Sequence, residues 1–177
     1  MTRGAYDWLA YNAGWCACVL GAANGAAGLG PAAAAPLLAI HLAAAPDRAA
    51  ETRLVLLAGG LGFAADSALG LLGVFRWSEG HSVAGLAPPW ILALWMLFAA
   101  TLRSSLAFLQ GRVPLAAALG AVAGPIAYVG GAKLGAMSLG VSAPSASAVL
   151  AALWAALLPA LVRLARPNAP VPAESAA

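Results

Sequence analysis

Residues 88–111 read PPWILALWMLFAATLRSSLAFLQG, and this stretch decides the class of the fold. A proline pair suits the first turn of a helix, Trp90 suits the headgroup layer, and the apolar run behind them matches the thickness of a bilayer. One charge, Arg103, lies inside the run. A membrane-spanning helix is expected over 89–110, with Arg103 about 21 Å along its axis from Pro89. There Arg103 either snorkels to the far headgroups or forms a small polar site with the hydroxyls of Thr101, Ser104 and Ser105.

Composition extends this reading to the whole chain. Of 177 residues, 63% are hydrophobic and 8% charged, and the mean hydropathy is +0.88. That leaves too little polar surface to cover a soluble globule, so an all-α polytopic membrane protein is expected. The net charge of +3 comes from bases at segment ends, where orientation rules account for them, and a nucleic-acid partner is rejected. Cys16 and Cys18 point about 200° apart on a helix and cannot bridge each other. No second histidine or cysteine stands at ligand spacing from His41, so neither a metal nor a cofactor is expected.

Six spans are expected near residues 8–28, 30–45, 54–75, 89–110, 114–139 and 148–165, followed by a disordered tail at 167–177. The first is read as a retained span rather than a cleaved leader. Its Trp8, Asn12, Trp15 and Val19 share a face, either as an interfacial anchor or as the wall of a polar pocket. The second is short and interrupted by Pro36. Its His41 lies beside the charged loop of Asp47, Arg48, Glu51 and Arg53 and is expected at the interface.

The third span is the most informative. Gly59, Gly62, Asp66, Gly70 and Gly73 recur at spacings of 3, 4, 4 and 3, which confines them to an arc of about 80°. A glycine face admits another helix, so Asp66 is expected to be buried in protein at mid-membrane. It must be protonated, paired or open to a polar cavity. In the fifth span Gly120, Gly124, Gly131 and Gly135 share an arc of about 60°, and this face too is expected against another helix, with the two glycine faces meeting as one option. Pro125 and Gly130-Gly131 are expected to bend or break that span near Tyr128, and Lys133 to snorkel from its end.

A cytoplasmic N-terminus would collect Arg3, Arg48, Arg53, Arg112, Arg163 and Arg166 on one side against Arg76 on the other, so both termini are expected in the cytoplasm.

The runs PPWILALWMLFAATLRSSL at 88–106 and GAVAGPIAYVGGAKLG at 120–135 resemble an uncharacterised family of small bacterial inner-membrane proteins, domain of unknown function 2878. The resemblance covers essentially the whole chain and implies no assigned activity. It implies a place in envelope lipid metabolism, because members of that family tend to be encoded beside lipid-modifying enzymes such as cyclopropane-fatty-acid synthases. Membrane lipids, and such enzymes, are the expected partners.

Three functions are compatible with these residues. In the first, a polar cluster of Asp66, Arg103, Ser104, Ser105, Tyr128 and Lys133 binds a lipid headgroup or acyl chain. In the second, Asp66 changes protonation in a small proton-coupled transporter or transporter subunit. In the third, the chain is a structural membrane partner.

Overall fold

The computed structural model describes residues 2–78, 82 and 85–166. The expected disordered tail, and Glu79 and His81, lie outside the described residues. Among those described there are six helices: α1 Arg3–Ala23, α2 Leu29–Ala43, α3 Arg48–Leu71, α4 Pro89–Thr101, α5 Val113–Lys133 and α6 Ala143–Leu164. Three of them, α3, α5 and α6, are long and apolar enough to cross a membrane. The helices α2 and α4 are apolar but shorter, at 15 and 13 residues.

Local chemistry sets these boundaries. Thr2, Asp47 and Ser142 start α1, α3 and α6 by accepting a backbone N–H from the first turn. Pro89 starts α4 and Pro114 lies in the first turn of α5. The helix expected over 89–110 instead stops at Thr101 and gives way to tight turns and a 3₁₀ turn at Ala107–Leu109. Hydroxyls compete with the ladder here: Thr101 Oγ1 donates to the Phe98 carbonyl at 2.6 Å and Ser104 Oγ to the Ala100 carbonyl at 3.2 Å.

A second departure is a pair of strands, β1 Phe75–Trp77 and β2 Met137–Leu139, where helix ends were expected. Helix α3 closes with Gly73 at φ 75° and the Val74 N–H on the Leu69 carbonyl. Helix α5 closes the same way, with Gly135 at φ 92° and the Ala136 N–H on the Gly131 carbonyl. Left-handed closures of this kind end a helix and turn the chain away from its axis. The two chains emerging from them pair antiparallel, with Phe75 opposite Leu139 and Trp77 opposite Met137.

The core is built from two helix hairpins, α3 with α4 and α5 with α6, while α1 and α2 pack on each other and on α4. Each hairpin owes its close approach to glycine. Any Cβ at Gly62 would occupy the space of the Trp95 indole, and any Cβ at Gly124 that of the Trp154 indole. The glycine faces of α3 and α5 therefore do not meet each other. Each receives a tryptophan from the next helix, and the two tryptophans stack at 4.8 Å with their planes 12° apart. Phe98 stands edge-on to both.

Candidate functional site

The stacked tryptophans form part of the wall of a cavity of about 110 Å³ between α1, α4, α5 and α6. Its lining is rich in aromatic rings, with Tyr11 and Trp15 from α1, Trp90, Trp95 and Phe98 from α4, Tyr128 from α5 and Trp154 from α6, and aliphatic or small residues make up nearly all the rest. Gly124, Ala123 and Ala127 leave the room on the α5 side. Asp66 of α3 is also part of the lining, fully buried.

Donors from two other helices, α4 and α5, hold the Asp66 carboxylate. The Trp95 indole donates to Oδ2 at 2.8 Å, and the Tyr128 hydroxyl lies 2.6 Å from Oδ2 and 2.8 Å from Oδ1, donating between them. Tyr128 in turn stacks on Phe75 of β1 at 5.2 Å, so the strand pair braces the residue that holds Asp66. No cation pairs with Asp66 among the described residues. Neutral donors stabilise a buried carboxylate without fixing its charge, so this group is able to hold or release a proton where it stands.

The expected polar cluster is thus split. Asp66 and Tyr128 meet; Arg103, Ser104, Ser105 and Lys133 belong elsewhere. Lys133 is exposed at the end of α5, and no ion pair involves it among the described residues. Ser104 and Ser105 turn their hydroxyls to the backbone, Ser105 reaching the Gly4 carbonyl at 3.0 Å. Arg103 does not snorkel. Its Nη1 lies 3.2 Å from Glu51 Oε2 and its Nε donates to the Ala165 carbonyl at 2.8 Å.

That arginine belongs to a second buried assembly, at the end of the bundle where α1 and α3 start and α2, α4 and α6 finish. His41, expected at the interface, is 2% exposed, and Asp7 and Glu51 beside it are 2% and 3% exposed. Its Nδ1 lies 2.7 Å from Asp7 Oδ1 and its Nε2 2.9 Å from Glu51 Oε1. Arg3 completes the group, 3.2 Å from Glu51 and 3.8 Å from Asp7. A neutral imidazole has a single N–H, so two carboxylate contacts require either imidazolium or a protonated carboxyl group. The reason for the burial is mutual: each charge is compensated only because the others are there.

Sequence reasoning missed this assembly, although its sign was present. Antiparallel alternation puts the start of α1, the end of α2, the start of α3 and the end of α4 at one end of any such bundle. Asp7, His41, Glu51 and Arg103 stand at those four places.

No curated protein and no solved structure matches the chain. The model of one family does, over residues 5–160, which takes in most of α1, all of α2 to α5, most of α6, the Asp66 site, the strand pair and the ionic assembly apart from Arg3. The chain belongs to the family described as proteins of unknown function, DUF2878.

Proposed function

We propose that the chain is a multi-pass protein of the bacterial inner membrane, a six-span bundle with both termini in the cytoplasm, that holds the hydrocarbon part of a membrane lipid or fatty acid beside Asp66. One observation carries the ligand reading: the cavity between α1, α4, α5 and α6 is walled almost wholly by aromatic and aliphatic side chains, with a single buried carboxylate beside them. Apolar pockets with few polar groups suit apolar ligands whose orientation one polar contact fixes. About 110 Å³ suits a short length of acyl chain rather than a whole lipid, so the remainder would lie in the bilayer.

The orientation has support from charge. Of the nine lysines and arginines, Arg3, Arg48, Arg53, Arg103, Arg112, Arg163 and Arg166 lie toward the end that holds His41, and Arg76 and Lys133 toward the end with the strands. Helices of 15 and 13 residues reach only about 22 and 20 Å, so α2 and α4 would cross with their connecting turns completing the span. Lipid-modifying enzymes are the partners this reading implies.

The test is mass spectrometry of lipids retained by the detergent-purified protein, beside an Ala127→Phe variant that fills the cavity. Loss of one acyl-bearing species from the variant is the expected result. The same lipids in the same amounts on both proteins would overturn the reading. A second reading, a proton-coupled transporter or a subunit of one, is favoured by the absence of a cation beside Asp66 among the described residues. Reconstituted protein that acidifies or alkalinises vesicles in an Asp66-dependent way would support it over lipid retention.

A further inference from the structure

The outer face of α3 near its start takes no part in either buried assembly. Arg48, Thr52 and Arg53 border a shallow groove there, completed by Ala49, Leu56 and Leu57. Leu56 and Leu57 are 58% and 47% exposed, and Leu61, 46% exposed, continues the apolar strip toward the middle of the helix. Beside it Gly60 leaves open space, since a Cβ there would meet nothing within 4 Å.

Among the described residues no carboxylate forms an ion pair with the bases of this groove. Asp47, the nearest acid on its own helix end, accepts the Ala50 N–H at 2.9 Å as the helix cap. Glu51 points to the opposite side, buried with His41, Arg3 and Arg103. From α2, the group that faces Arg48 is the Ala43 carbonyl, which accepts from its guanidinium at 3.0 Å and ties it across the turn. Arg53 is exposed and forms no ion pair among the described residues. Two guanidiniums therefore stand above an exposed leucine strip.

Length places that pair at the right depth for a headgroup. The 24 residues of α3 measure about 36 Å against about 30 Å of hydrocarbon, an excess of about one turn, so with that excess at its start Arg48 stands at the interface, the Arg53 side chain reaches up to it, and Leu56, Leu57 and Leu61 remain below. We infer that this face binds one anionic phospholipid, its phosphate between Arg48 and Arg53 and an acyl chain along Leu56, Leu57 and Leu61. The inference rests on α3 crossing the membrane and is independent of what fills the cavity at Asp66.

The experiment uses the full chain in detergent, with binding followed by native mass spectrometry. The probes are phosphatidylglycerol, phosphatidylcholine of the same acyl composition, and inorganic phosphate. Phosphatidylglycerol is expected to bind roughly tenfold more tightly than phosphatidylcholine, since each interfacial base favours an anionic lipid severalfold. The double variant Arg48→Gln/Arg53→Gln should lose that preference, Arg48→Lys/Arg53→Lys should retain most of it, and inorganic phosphate should not compete. Equal binding of the two lipids, an unchanged preference in the glutamine variant, or effective competition by phosphate alone would each overturn the proposal. A preference that survives there but disappears with Arg112→Gln would assign the headgroup to another arginine and overturn it as well. Thiol labelling of the two ends of α3 in intact membranes reports the spanning premise separately, and unchanged helicity of the glutamine variant excludes misfolding as the cause of a lost preference.

Discussion

Asp66 and His41 are both buried, yet they are held in opposite ways. Asp66 is surrounded by neutral donors, Trp95 and Tyr128, while His41 lies between two carboxylates that two arginines hold in turn. Removing one member of the ionic group strands the rest in a medium that solvates them poorly. Removing the charge of Asp66 strands nothing, because its partners keep a hydrogen-bonding group to face. The contrast separates two jobs: the ionic group ties the ends of five helices together, and the neutral-donor site leaves a carboxylate free to change state.

The largest effect should come from breaking the ionic group. Glu51→Ala leaves His41, Arg3 and Arg103 without the carboxylate they share, and the loss of one partner from a buried charge group costs about 3–5 kcal/mol. A thermal unfolding scan in detergent measures it. A transition within a degree of the parent chain's would show that water reaches this end and that the contrast with Asp66 is false.

Overpacking the hairpins comes next. Gly62→Ala drives a methyl into the Trp95 indole, and a displacement of that ring costs about 1–3 kcal/mol. Gly60→Ala on the same helix meets open space and should stabilise by up to about 1 kcal/mol through helix propensity. Equal behaviour of the two variants in the same scan would refute the glycine–tryptophan account. Because Trp95 also donates to Asp66, Gly62→Ala should weaken ligand retention while Gly60→Ala leaves it alone.

These pairs also show how much was legible in the residues. The glycine arcs of α3 and α5 were readable because helix periodicity is local, and burial of Asp66 followed from its place on one of them. Their partners were not readable: that Gly62 receives Trp95 and Gly124 receives Trp154 depends on which helices lie side by side. The break after Thr101 escaped because apolar composition looks the same in a helix and in the turns that replace it, while the bonds of the Thr101 and Ser104 hydroxyls to carbonyls of the last turn depend on side-chain rotamers. The strands escaped because three residues are too few for an alternating pattern. His41 was misplaced because Asp47, Arg48 and Arg53 in the neighbouring charged stretch are exposed, whereas its partners are Asp7 of α1 and the one acid of that stretch that turns inward, Glu51.

A smaller effect tests the donor shell itself. Tyr128→Phe removes the hydroxyl shared by both oxygens of Asp66, and the loss of one buried hydrogen bond costs about 1 kcal/mol. Stacking on Phe75 survives the change, so the strand pair should stay in place. Retention of the acyl-bearing ligand, measured on the purified variant, is expected to fall further than stability does. A variant that loses stability and keeps full retention would make Tyr128 a brace for the strands alone.

The smallest change in stability belongs to Asp66→Asn, and it divides the two regions most sharply. Asparagine keeps an acceptor for the Trp95 and Tyr128 donors, adds an amide N–H that the tyrosine oxygen is able to accept, and removes a charge whose burial is costly. Stability should therefore change by less than about 1 kcal/mol, with a gain if the parent carboxyl group is ionised, because asparagine escapes the cost of burying that charge. Function should not follow. A site that needs the carboxylate's proton or charge fails in the asparagine variant, so a level-controlled complementation assay should show loss of activity with Asp66→Asn and partial recovery with Asp66→Glu. The matched change at the other end, Asp7→Asn, should do the reverse, lowering stability because Arg3 and His41 lose their counter-charge, with activity falling only as far as folded protein does. Full activity of Asp66→Asn would reduce Asp66 to a helix tie and dissolve the contrast between the two regions.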